Sequence, residues 1–126
     1  MPIQRHTDQA NRLTTLTASG ELKPEELLEA VGAFKHDPPA INILWDFRQA
    51  YPSQSIDAEF MQQIAGLVKK TIGSRTNGRT AFVAPSDLSF GLSRMYMTHL
   101  EIKKSAHKTN VFRSLGEALK WLKDGN

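Results

Sequence analysis

Two spacings of apolar residues alternate along this chain, one suited to strands and one to helices, and the switches between them lay out its elements. Ile3–Asp8 is polar and weakly strand-like, as an edge strand would be, and Ala10-Asn11 follows as a turn. Residues 13–19, Leu-Thr-Thr-Leu-Thr-Ala-Ser, are rich in β-branched side chains and predict a second strand that Gly20 ends. Pro24 with Glu25 and Glu26 opens a helix, because proline suits the first helical position and acids complement the positive end of the dipole. Leu27, Val31 and Phe34, at i, i+4 and i+7, form its core stripe. Asp37-Pro-Pro39 stops it, since proline disfavours helical backbone in the residue before it.

Ile41-Asn-Ile-Leu-Trp45 is a short apolar run and predicts a central strand ending at Asp46. A loop over 47–54 carries Arg48, Tyr51 and Pro52. Ser55 or Asp57 then caps a long helix reaching Ile72, with Ile56, Phe60, Ile64, Leu67 and Thr71 on one face and Met61 and Val68 on its flank. Gly73 and Asn77-Gly78 make the return turn. Residues 79–84 predict the next strand, and Ser86 after Pro85 caps the next helix. A basic connector with Lys103, Lys104, His107 and Lys108 leads to a short strand at Asn110-Val-Phe112. Ser114-Leu-Gly-Glu117 reads as a capping box opening a last helix with Leu115, Ala118, Leu119 and Leu122 inward. The order predicts one α/β domain spanning 1–126: a mostly parallel five-stranded sheet with about four helices, its first strand antiparallel at the edge.

Composition narrows the function classes. The 126 residues contain no cysteine, which excludes disulfides, thiolate metal sites and cysteine nucleophiles. The start of the chain has no apolar signal core, and no apolar run approaches the roughly 20 residues that span a bilayer. A cytoplasmic protein is the expectation. The formal charge of +3 is only mildly basic. Lys69, Lys70, Arg75, Arg79, Lys103, Lys104 and Lys108 all fall in two helix-to-strand connections, which share one edge of a parallel sheet. They suit weak binding to an anionic surface, but no aromatic residues interleave with them, which argues against nucleic acid as partner.

The segments Ile43-Leu-Trp-Asp-Phe-Arg48, 78–96 and Val111-Phe-Arg-Ser-Leu-Gly-Glu-Ala-Leu-Lys-Trp121, in this order of elements, resemble the STAS domain, the sulfate-transporter and anti-sigma-factor-antagonist family, also called the SpoIIAA-like fold. The chain looks like a small bacterial branch of it. The resemblance implies a regulatory or scaffolding protein without its own catalysis. In antagonists of the family a serine opening the helix after the central strand is phosphorylated within Asp-Ser-Ser-Gly. Ser55, in Ser53-Gln-Ser-Ile-Asp57, falls near that position without the preceding acid or following glycine, so a plain helix cap is the preferred reading and a phosphosite the lesser one.

Candidate chemistry is thin. Asp46 lies at the carboxyl end of a central strand, where open α/β sheets place their sites, and Arg48, Ser86 and Asp87 are expected near it as a ligand-binding loop set. Ser86 has the strand-to-helix position of a nucleophile elbow, but Ala84-Pro-Ser-Asp-Leu88 lacks the flanking glycines. His6, His36, His99 and His107 have no metal-ligand spacing, and no glycine-rich phosphate loop follows a strand. No catalytic residue, metal or cofactor is therefore assigned. At about 100° per residue, Leu88, Leu92, Met95 and Tyr96 share the face of the third helix turned to the sheet. Phe90, Arg94 and Met97 fall opposite and are expected to form an interface with a protein partner or a second copy of the chain. The leading expectation is a protein–protein interaction module; a small-ligand or lipid binder of the same fold is the alternative, and a hydrolase using Asp46, Ser55 or Ser86 a third.

Overall fold

Residues 3–72, 78–102 and 108–124 are described by the computed structural model of the chain. The elements are β1 (Ile3–Asp8), β2 (Leu13–Leu22), α1 (Pro24–Gly32) with a 3-10 turn (Ala33–Lys35), β3 (Asn42–Pro52), α2 (Ala58–Ile72), β4 (Arg79–Val83), α3 (Asp87–Ile102), β5 (Lys108–Phe112) and α4 (Leu115–Asp124). The five strands lie side by side in chain order, β1-β2-β3-β4-β5. β1 runs antiparallel to β2 and every later pair is parallel, as the tight turn after β1 and the helical crossovers after it require. That turn is held by Asp8, whose carboxylate accepts from the Asn11 backbone N–H and side-chain amide at 3.2 and 2.7 Å.

Strand alternation sorts the core onto two faces. Ile43 and Trp45 of β3 and Phe82 of β4 join Leu16, Ala18 and the buried stripes of α1 and α2 in the larger cluster, where Leu27, Val31 and Phe34 take their expected places. Leu44, Ala81 and Val83 point the other way and pack under Ala118 and Leu122 of α4. Leu119, expected inward, is exposed; the buried stripe of α4 is Ala118 and Leu122, and Trp121 flanks it. The capping serine works as expected: Ser114 Oγ accepts from the Glu117 N–H at 3.3 Å and donates to the Glu117 carboxylate at 3.0 Å.

Two strands are longer than the apolar pattern indicates. β2 continues through Gly20 to Leu22, with a register shift between Thr17 and Ser19 and a φ of 73° at Gly20, a value that glycine adopts without strain. β3 continues past Asp46 to Pro52, so Arg48, Tyr51 and Pro52 lie in a strand rather than a loop. The two tails support each other, Ser19 to Leu22 pairing with Gln49 to Pro52, and form a two-stranded tongue beyond the end of β4. Backbone pairing there replaces the apolar periodicity that marks the strand body. Among the described residues no helix is long and apolar enough to cross a membrane.

Candidate functional site

The residues expected around the carboxyl end of the sheet separate into three places. Asp46 follows Leu44 by two positions, so it stands on the α4 side of the sheet, at the end of the body of β3. Its carboxylate is buried to 9% side-chain exposure and receives the Arg48 guanidinium, Nη2 to Oδ2 at 2.8 Å and Nε to Oδ1 at 3.0 Å, and the Arg48 backbone N–H at 3.1 Å. Burial by itself raises this carboxyl's pKa, but the hydrogen bonds from the Arg48 side chain and backbone, with the guanidinium charge, outweigh it and hold Asp46 below its ordinary 3.8. A general base at neutral pH needs the opposite shift. Asp46 is an ionised clamp on the start of the tongue.

Because its folded value is depressed, the clamp contributes stability that is present above pH 3.8 and is lost as the pH falls through the lower folded value. In Arg48→Met only the backbone N–H of residue 48 still opposes burial, so the carboxyl is expected to titrate higher than in the wild type and acid destabilisation to begin at higher pH. Carboxyl carbon NMR titration of the two proteins reads both values. A wild-type Asp46 titrating at or above 3.8 would show that the pair does not form in solution.

Ser86 and Asp87 sit at the start of α3 and do different work. Ser86 Oγ accepts from the Ser89 N–H at 3.1 Å, which makes it the helix cap expected of it. Asp87 pairs with Arg113 at 2.8 Å, not with Arg48, and Arg113 also donates to the Pro85 carbonyl and lies over the Phe90 ring at 4.2 Å. For α2 the cap is Asp57, whose Oδ1 accepts from the Phe60 N–H at 2.9 Å, while Ser55 is exposed in the preceding turn.

The faces of α3 match expectation only in part: Tyr96 is buried and Leu92 half-buried toward the core, as expected, but the other large apolar residues have changed sides. Phe90 and Met97 are half-buried and pack against the larger core cluster, whereas Leu88 is 61% and Met95 41% exposed. The buried side is Ser89, Ser93 and Tyr96, at i, i+4 and i+7. The physical reason is that α3 packs chiefly against α2 rather than flat on the sheet, so its inward phase is set by that neighbour and by the small serines that permit close approach. Arg94 is exposed, as expected. Of the basic residues expected to cluster, Arg79 is tied to α4, donating to the Trp121 carbonyl at 2.8 Å and lying over its ring at 4.7 Å. Lys69, Lys70 and Lys108 are exposed, and Arg75, Lys103 and Lys104 fall outside the described residues.

The feature that sequence reasoning missed is a half-open cavity of about 80 Å³ on the side of the sheet opposite Asp46. Trp45 and Phe47 of β3 and Phe82 of β4 line it as a triangle of near-parallel rings, with all three centroid distances between 6.0 and 6.4 Å. Tyr96 meets Phe82 edge-on at 5.3 Å. Met61 and Ile64 of α2 and Ser89, Leu92 and Ser93 of α3 contribute walls, and Tyr51 on the tongue, 59% exposed, stands at the mouth. Burial pushes the Tyr96 hydroxyl's pKa far up, so it remains a protonated donor. The available signal was Ser89 and Ser93 on one helical stripe with Tyr96, which the sequence places inward; the two serines themselves carry no apolar mark. Among the described residues no group of three or more His, Asp or Glu side chains is placed to hold a metal ion.

No protein-family model and no curated protein matches the sequence. Solved structures do match by fold. An uncharacterised DUF3478-family protein with a SpoIIAA-like fold from Shewanella loihica PV-4 superposes with a TM-score of 0.57 at 16% identity, over 95% of this chain and 91% of that one. An anti-sigma factor antagonist from Mycobacterium paratuberculosis gives 0.56 at 17% identity, over 97% and 95%. The anti-sigma factor antagonist SpoIIAA in its unphosphorylated form gives 0.51 at 14% identity, over 96% and 97%. The chain has the SpoIIAA-like fold, with the mixed five-stranded sheet and four helices expected of it.

Proposed function

We propose that the protein is a non-catalytic regulatory module that acts by binding another protein. Its likeness in fold to two anti-sigma factor antagonists carries this reading. Two features of the molecule support it. The carboxylate at the end of the central strand is held ionised by Arg48, which suits a structural clamp rather than acid–base chemistry. Leu88 and Met95 project a pair of apolar side chains a heptad apart from α3, with exposed Arg94 beside them. A patch of two side chains falls well short of the roughly 800 Å² per partner of a standard stable interface, so it fits a transient contact with a different protein better than a second copy. The complementary partner surface offers an apolar pocket with an acidic group facing Arg94.

The test is a binary complex reconstituted from purified proteins, the partner first taken from the native cell with tagged wild type. Leu88→Asp with Met95→Lys is expected to weaken the complex at least about ten-fold, as loss of an interface hot spot does, while the melting temperature stays near wild type. Unchanged affinity removes this face. Hydrolytic turnover that disappears in Asp46→Asn would overturn the non-catalytic reading itself.

A further inference from the structure

Buried hydroxyls on a helix normally find an acceptor, most simply the carbonyl four residues back. Half-buried Thr71 does this here, donating to the Leu67 carbonyl at 2.7 Å, and exposed Thr98 donates likewise to the Arg94 carbonyl at 3.1 Å. Ser89, Ser93 and Tyr96 do not. As residues they are 8%, 7% and 8% exposed. Among the described residues the buried hydroxyls without a partner are Ser53 Oγ and Thr109 Oγ1, so those of Ser89, Ser93 and Tyr96 keep access to open space, which here is the cavity. All three line the same cavity, whose other walls are almost wholly apolar and to which no charged side chain contributes.

We propose that this cavity is a binding site for a small neutral amphiphile, an apolar body carrying a hydrogen-bond-accepting oxygen such as a ketone, ester or lactone carbonyl. The ligand class follows from the walls. The ring cluster of Trp45, Phe47 and Phe82 and the aliphatic side chains of α2 offer dispersion contact to carbon. The α3 hydroxyls supply donors, and Tyr96 stays protonated because burial opposes its ionisation. A carboxylate or phosphate would enter without a compensating cation, which burial penalises. Size sets the fit: a water-sized group needs roughly 10–15 Å³ of such space, so about 80 Å³ holds about five to eight such groups, and a longer ligand continues along the mouth at Tyr51. The site is independent of the protein-binding reading above and lies at the carboxyl end of the strands, where sheets of this class place ligands.

The experiment uses the full chain, labelled with ¹⁵N, and two probes of the same carbon number, 2-hexanone and hexanoate. With 2-hexanone, saturable shifts are expected for the Ser89, Leu92 and Ser93 amides and the Trp45 indole N–H at about millimolar concentration, the level seven non-hydrogen atoms support. Hexanoate is expected to bind at least about ten-fold more weakly, since its charge must be desolvated. Ser89→Ala with Ser93→Ala should weaken 2-hexanone about two- to ten-fold for each hydrogen bond lost, with the amide spectrum otherwise folded. Non-saturating or scattered shifts overturn the proposal. So does hexanoate binding as tightly as the ketone, or a double variant that binds 2-hexanone unchanged, because the hydroxyls then serve hydration only.

Discussion

Phe82→Ala is expected to lose about 3–5 kcal/mol of unfolding free energy, a large share of what a domain of this size has. The ring sits at the crossing of three contacts. It stacks on Trp45, which is its register partner across β3 and β4, and on Phe47, and it receives the edge of Tyr96. Truncation removes the transfer energy of the ring and leaves a void that the flanking strands, fixed by backbone pairing, cannot collapse into. The void would open into the existing cavity. Urea unfolding followed by far-UV circular dichroism measures the loss. A change below about 1 kcal/mol would mean that the ring cluster is not a packed part of the core in solution.

Leu122→Ala is expected to cost about 2–5 kcal/mol, although it deletes a smaller side chain. Three helices share the larger cluster, but among the described residues α4 is the helix that covers Leu44, Ala81 and Val83 on the other face, mainly through Ala118 and Leu122. No neighbouring helix stands ready among the described residues to fill the gap. The comparison is Leu119→Ala, one turn away on the same helix and 40% exposed, which should stay within about 0.5 kcal/mol of wild type. Equal effects of the two substitutions would place the packing stripe of α4 elsewhere.

Local chemistry was legible in the sequence wherever one residue type has one structural use. Pro24 with two acids starts α1, Ser86 caps α3, and Ser114 with Glu117 caps α4. Strand bodies were legible from their apolar runs, and the family resemblance anticipated the fold that the solved structures share. What escaped depends on neighbours. The tongue residues Gln49 to Pro52 have no strand periodicity, because β2 supplies their order through the backbone. The exact phase of α3 escaped because Leu88 and Met95 are apolar yet exposed, while the inner stripe sets Ser89 and Ser93 beside Tyr96, serines that are small rather than greasy. The interface expected at Phe90 and Met97 rested on that phase, and so did the failure to see a cavity. Asp46 and Arg48 were expected to be close; the clamp that joins them, and their separation from Asp87 and from the cavity, follow from strand alternation beyond the point where the strand was thought to end.

Spatial strand order and chain order coincide in this sheet. No strand needs to be threaded between two already paired, so assembly can proceed by addition at one growing edge. For a chain made from its N-terminus, the newest strand is always the template for the next, and each closure spans only one crossover, which keeps its entropic cost low. The larger face acquires its helices as the sheet widens. The opposite face, with Leu44, Ala81 and Val83, stays bare until α4 docks. Docking of α4 is thus the step that ends the nascent chain's exposure to aggregation, and variants that delay it should be found in the insoluble fraction before any defect in the native state can be measured.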